Sequence, residues 1–537
     1  MKRLEFKIQP PIAPSDSNRA DIACFVGFVG RRSLPLPTEI QNWLRDRGWI
    51  ASPYARPDAE SLLHLPVPID AWEVFHQLFA WEQRPLDKAG QVGTSYLGAA
   101  VRSFFAQGGR RCYVVRVGDP WSLTASRMER LAYLSQLLPG YPAAIAASPA
   151  DPTSWQGIGH LLGLPDVSFV ALPDLADAIA ADRPALNPDV TLPPPAEQFV
   201  ECSDPEPLPP NRVARRFQAP RADLQSYDAW ATAVGAIANW LARYRRDVQL
   251  VAAVPLPMPN SDAADAQHDL LGLLMQPGQT FIPAGSSTPQ DFVPPLATTI
   301  QLPKGLASAF VQLVYPWVQT AGSANLPEQL ESPDAVLVGI LARNTLLQGT
   351  FRSAANAHLS DVQQLYPSLS SEQLDYSHAI AATAIPHNLT ERISILGETP
   401  DGLRLLSDVT TSLDTSYRPA SVNRLVSVIL RAARRLGEEV IFDAAGERLW
   451  RRLQETLTGL MTDLLQLGAL RDTVSEPFRV VCDRRTMTQA DMDNGRVIVQ
   501  VEFEAAAPIE RLTIVLAMSD GGQLSLITPS ATNLEAA

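Results

Sequence analysis

The sequence of 537 residues predicts a multidomain protein of mixed α/β and α+β class. Three observations carry that expectation. A helix over 94–105, closed by Gly108-Gly109, runs into the hydrophobic strand Cys112–Val117, which is the helix–turn–strand unit of a layered α/β domain. Two amphipathic helices late in the chain precede three strands instead of alternating with them, which is α+β order. Hydrophobic residues make up 46% of the chain, enough for more than one core and too many for a disordered polymer.

The elements follow in order. Residues 1–20 hold three prolines and read as an extended arm that leads into the buried strand Ile22–Gly30. After the helix–turn–strand unit, a helix over about 125–138 and the strand Val167–Leu172 extend the α/β pattern. The interval 182–222 contains ten prolines, among them Pro193-Pro194-Pro195 and Pro209-Pro210, and reads as an excursion from the core. Helical spacing returns at Tyr227–Arg245 and is followed by the apolar stretch Val248–Pro255. A strand at 306–318 ends in the aromatic turn Tyr315-Pro316-Trp317, and Pro333-Asp334 opens a helix through Leu347.

In the last quarter, Ser421 is placed to cap a helix through Gly437, with Val422, Leu425, Val426, Ile429 and Leu430 on its buried face. Glu447–Leu467 forms the second helix, ended by Gly468. Phe478–Cys482, Arg496–Phe503 and Glu510–Met518 read as strands, and 519–537 as a polar tail.

Charge and motifs narrow the chemistry. With 44 basic against 57 acidic residues the net charge is −13, which offers no overall positive field for steering toward nucleic-acid phosphates. Lysine appears only at Lys2, Lys7, Lys88 and Lys304, so positive charge rests almost wholly on guanidinium groups, which grip carboxylates through two parallel hydrogen bonds. Cys24, Cys112, Cys202 and Cys482 are widely scattered, which predicts free thiols in a reducing compartment. No secretory h-region follows the N-terminus and no stretch is apolar enough to span a membrane, so cytoplasmic synthesis is expected. HExxH, Walker A, GxSxG and GxGxxG patterns are all absent from the sequence, and its seven histidines lack zinc-ligand spacing. The oxygen-rich stretch Met487–Gly495 lacks the ligand spacing of an EF-hand and reads as a polar turn. No catalytic, cofactor or metal residue is assigned.

The candidate functional residues are therefore interface residues. Arg431, Arg434 and Arg435 near one helix end are suited to acidic partner segments, although a solvated face accounts for them too. Tyr315 and Trp317 are candidate anchors for a neighbour, with a buried aromatic turn as the alternative.

Several blocks, taken in order, resemble the contractile tail sheath family of myophage tails and phage-tail-like injection systems. These are IACFVGFVG at 22–30, YLGAAVRSFFAQGGRRCYVVRV at 96–117, Tyr315-Pro316-Trp317, PDAVLVGILARNTLLQGTFRSAAN at 333–356, and the C-terminal helices from Ser421 with EPFRVVCD after them. Two departures stand out. A PGVY-like opening is missing, and LLSDVTT at 405–411 replaces the family's Trp-Gly-Ala-Arg-Thr-like segment.

The resemblance implies a sheath-type inner domain that contacts the tail tube, an outward α/β domain, and extended terminal arms. Carried onto this chain, it gives an N-terminal arm at 1–20, N-terminal and middle regions over 21–395, an inner tube-contacting domain over 396–518 and a C-terminal arm at 519–537. The implied function is structural: subunits polymerise around an inner tube and contract to drive it into a target envelope. Implied partners are other sheath subunits in a helical homo-oligomer, the tube protein, and baseplate and cap proteins, without direct nucleic-acid contact or an integral membrane segment. Assembly in the cytoplasm into a particle is expected. A specialised baseplate-proximal or cap-proximal sheath-like paralogue is the alternative, and a soluble α/β enzyme a more distant one.

Overall fold

A computed structural model describes residues 20–50, 60–86, 92–183, 217–258, 306–369, 374, 389–412, 414–440, 443, 446–471 and 476–506, all but 224 with side chains. It gives backbone alone for short strands at 280–282, 290–291, 378–380, 385–387, 512–518 and 524–527. Within it, one large sheet is built from β1 (Ala23–Phe28), β2 (Pro66–Ile69), β3 (Cys112–Gly118), β4 (Phe169–Ala171), β5 (Gln249–Ala253), β6 (Val311–Tyr315), β7 (Ser394–Thr399) and β8 (Gly402–Leu405). Its strand order is β8-β7-β6-β5-β4-β1-β3-β2. The six inner strands run parallel, and antiparallel β2 and β8 close the two edges.

Four long helices cover the sheet: α1 (Tyr96–Ala106), α2 (Arg127–Leu137), α3 (Leu224–Tyr244) and α4 (Asp334–Gln348). The two-residue period of a strand is visible in β1, whose six residues are all buried. Ala23 and Phe25 join the core under α1 and α4, while Cys24, Val26 and Phe28 join the one under α2 and α3. A strand read as a continuous apolar run is thus one covered on both faces. The Ser95 hydroxyl caps α1 by accepting from the Gly98 N–H, and Gly108 follows its end at φ +100°, the left-handed conformation expected of the glycine pair.

The third core lies between α5 (Ala420–Val440), α6 (Glu447–Gln466) and the antiparallel sheet β9 (Phe478–Val481), β10 (Val497–Phe503), β11 (Leu512–Met518) and β12 (Leu524–Ile527). Leu425, Ile429, Leu453, Leu457 and Met461 meet Val499, Val501 and Phe503 there.

Several details depart from the expectations. The helix begins at Ala420, so Ser421 sits buried in its first turn and is not the cap. The ladder places 396–405 with the large sheet, because β7 pairs with β6 and β8 with β7, so that sheet extends past the expected division at 396. The polar turn at 487–495 contains one helical turn, Gln489–Asp493, which Thr488 and Asp491 close with reciprocal capping bonds. Within 519–537, the described residues 524–527 pair with β11 as a fourth strand of the chain's own sheet. The N-terminal arm lies outside the described residues except for Ala20, which is buried. The proline-rich excursion lies outside them over 184–216.

Candidate functional site: the seam between sheet and C-terminal helices

The parallel sheet has two distinct edges. In an open α/β sheet the carboxyl ends of the strands form a ligand crevice where the strand order reverses, which here is between β1 and β4. That position is filled from within. Asp174, just past β4, accepts the Phe28 N–H at 2.7 Å. Gly27 leaves the space it needs, since a Cβ there would lie 2.3 Å from the Asp174 oxygen. Behind it, Asp177 accepts from Arg84, Arg183 and the Trp121 indole. Burial alone would raise its pKa, but the surrounding guanidinium groups outweigh that and hold it well below the usual carboxylate range.

Three further acids in this half of the sheet behave differently. Burial pushes Asp174, Glu331 and Asp334 up to about 7, since their hydrogen bonds come from neutral donors and offset little of the desolvation. Glu331 accepts from Ser103 and Thr320, and Asp334 from Ser332 and its neighbour Ala335. Shifted acids often mark active sites, yet Asp334 faces a cavity of about 10 Å³, room for a single water. A substrate cannot enter it.

The amino edge of the sheet carries the other conspicuous arrangement. There α5 crosses beside β6, β5 and β4, and its arginines reach into the α/β core. Arg424 donates through two nitrogens to Asp408, at 3.1 and 2.6 Å. The same carboxylate accepts from Gln312 of β6 at 2.9 Å and from the Ala354 N–H at 2.8 Å. One buried anion therefore joins β6, the small-residue loop after α4, and α5. Burial raises its pKa, and Arg424 and the hydrogen bonds outweigh this, so Asp408 lies below the usual carboxylate range.

Two turns further along α5, Arg431 donates to the Ser168 hydroxyl at 2.5 Å, immediately before β4. Arg434 lies 3.4 Å from Asp247, which precedes β5 and accepts from Nε and Nη2 of Arg245, both at 3.0 Å. Burial alone would raise Asp247, but Arg245 and Arg434 bring it down to about 2. Arg431 is itself buried, and that lowers its pKa although nearby Asp247 opposes the change.

Of the sequence-predicted interface residues, Arg431 and Arg434 are thus engaged within the chain. Arg435 stays exposed, 3.6 Å from Glu439 on the same helix. Tyr315 and Trp317 are buried, 1% and 0% exposed, and the Trp317 indole donates to the Val254 carbonyl at 2.9 Å. They are therefore part of the core in the single chain, as the aromatic-turn alternative had it. Asp408 and Asp247 were missed. The only sequence signal for Asp408 was its place in LLSDVTT, the segment that departs from the family pattern.

The geometry is that of an α/β layer tied by buried ion pairs to a helical module, with the crevice between β1 and β4 filled by Asp174. No protein-family model and no curated protein matches the chain. Solved structures do. A chain from the cryo-EM structure of the anti-feeding prophage (AFP) baseplate in the contracted state aligns with TM-score 0.53 and 15% identity, over 95% of this chain and 95% of that one. One from the 6-fold symmetrised AFP baseplate gives 0.50 and 16%, over 95% and 96%. The AFP helical sheath in the contracted state gives 0.49 and 17%, over 95% and 97%. Contractile sheath and baseplate proteins are thus its structural neighbours, and with the first two it shares its fold over nearly the whole length.

Proposed function

We propose that this chain is a structural subunit of a contractile injection particle, a sheath-type protein that polymerises around an inner tube and drives it outward on contraction. The observation that carries this reading is the fold shared along 95% of the chain with components of a contractile baseplate, together with the ordered sheath-like blocks in the sequence. The plugged crevice supports a mechanical role over an enzymatic one, because displaced acids without room for a substrate do no acid–base chemistry. Contraction needs two packings of one rigid subunit that differ in free energy. A seam of buried, charge-assisted hydrogen bonds suits a body that must move as a unit.

A baseplate-proximal sheath-like subunit is the second reading, favoured by the baseplate origin of the two structures that share the fold. Electron microscopy of the purified protein with its matching tube protein separates the two. Long helical tubes of repeated subunits are expected for the main sheath, and a few copies confined to one tube end for the terminal component. No association with the tube would remove both.

A further inference from the structure

A basin of about 370 Å³ opens on the C-terminal module, between the first turns of α6 and the turn that follows β9. Trp450 and Cys482, 9% and 3% exposed, form its floor, and Arg451, Gln454, Arg484 and Arg485 stand at its rim. Two of the three arginines are engaged. Arg485 holds Asp483 through two nitrogens at 2.9 and 2.6 Å, and Arg484 lies 3.5 Å from Glu447. Arg451 is exposed and has no carboxylate partner among the described residues. An arginine left over at the mouth of a concave site, on a chain of net charge −13, suits an anion supplied from outside the module.

The far end of the folded body carries one that protrudes. β7 and β8 stay paired as far as Thr399 and Gly402, so Pro400 and Asp401 alone make the turn between them. The Thr399 hydroxyl closes it by donating to the Gly402 carbonyl at 2.7 Å. Pro400, Asp401 and Gly402 are all exposed, the Asp401 side chain by 81%, and Glu398 is exposed beside them. Among the described residues Asp401 makes one ion pair, to Arg404, and it is 3.9 Å long. The turn is thus a narrow acidic knob. β7 runs parallel to β6, which puts the knob at the carboxyl edge of the large sheet, whereas Arg431 and Arg434 anchor the C-terminal module at the amino edge. The sheet stands between knob and basin.

We propose that the 398–402 turn of one copy docks in the basin of a second copy, with Asp401 facing Arg451 and Pro400 covering the floor at Trp450. Such a contact joins two different patches of the same chain, so it is heterologous and builds rings or open helical filaments instead of a two-fold pair. It rests on the proposed function for the polymer it serves, and it gives that polymer a contact made by the folded body.

The test mixes two full-length chains that both carry Cys202→Ser and each hold one new thiol, Pro400→Cys in the first and Gln454→Cys in the second; Cys24, Cys112 and Cys482 are buried. A short bis-maleimide should join 400 to 454, a link that only two copies can make, read by mass spectrometry of the linked peptides. Asp401→Arg in the first chain should lower the yield about twofold to fivefold, the size of one exposed ion pair, and Arg451→Asp in the second should restore it. Glu398→Cys with Arg448→Cys provides a second pair should the first disturb the turn. The proposal falls if neither pair links, if links of 400 to 400 or 454 to 454 predominate, if 454 links to the tube protein instead, or if the yield ignores Asp401→Arg. Electron microscopy of the same mixture with the tube protein keeps this contact apart from the proposed function. Tubes without the link strike the contact alone, a link without tubes strikes the function alone, and the absence of both strikes both.

Discussion

At the scale of the residue, the chain holds two populations of buried acid whose responses to pH oppose each other. Asp408 and Asp247 are depressed by guanidinium partners, so the stability they contribute is complete above the ordinary carboxylate pKa of about 4 and is lost as pH falls through their folded values. Asp174, Glu331 and Asp334 are raised to about 7, so the folded chain holds protons that the unfolded chain has released. Their contribution is full below about 4, declines as pH rises to about 7, and is constant beyond. Glu331→Gln, neutral throughout, should reduce the fall in melting temperature between about pH 5 and 7 measured by scanning calorimetry. An unchanged slope would show that Glu331 is ionised in the folded protein. Asp408→Ala should cost about 3–5 kcal/mol in denaturant unfolding, because Arg424 stays buried without its anion. Arg424→Met should cost less, since Asp408 keeps the donors from Gln312 and Ala354.

At the scale of the element, what could be read in advance depended on whether the cause was local. The helix over 94–105, its Gly108-Gly109 end and the strand at 112–117 are written in apolar spacing and a glycine at positive φ, and each is found within a residue or two. The roles of Arg431 and Arg434 were not legible, because a helix shows only that a charge leaves its apolar face, not whether Asp247 waits there from far up the chain. The eighth strand escaped for the same reason: Gly402–Leu405 is short, and its pairing with β7 is set by the sheet edge. Helix contacts made by small residues are equally silent in one sequence. At Gly339 of α4 a Cβ would lie 2.8 Å from the Phe104 carbonyl oxygen of α1, so the two helices touch through it. Gly339→Ala should destabilise by about 1–3 kcal/mol despite its higher helix propensity, because backbone cannot yield as a side-chain tip can. Gly459→Ala, in α6 with open space around the Cβ, should stabilise by about 0.5–1 kcal/mol in the same thermal assay.

At the scale of the whole molecule, buried residues that hold the subunit together and residues on its exposed surface are separable. The described chain closes both edges of its large sheet with antiparallel strands, fills its crevice and spends Arg424, Arg431 and Arg434 on internal anchors. Contacts between subunits, on the proposed function, then fall to exposed groups such as Arg435 and to the terminal segments. Arg435→Glu should leave the melting temperature nearly unchanged, since exposed substitutions stay within about 0.5 kcal/mol. Arg431→Glu, by contrast, should unfold the seam by placing a second buried anion beside Asp247. The pair separates a lattice effect from a folding effect. If Arg435 contributes to the lattice, its reversal lowers the yield of helical tubes while monomers keep their thermal profile. Removal of 1–19 and of 528–537 tests the arms in the same way and leaves β12 in place. Folded monomers that no longer form tubes are the expected result in the electron microscope. Normal tubes from both truncations would assign the lattice contacts to the folded body alone.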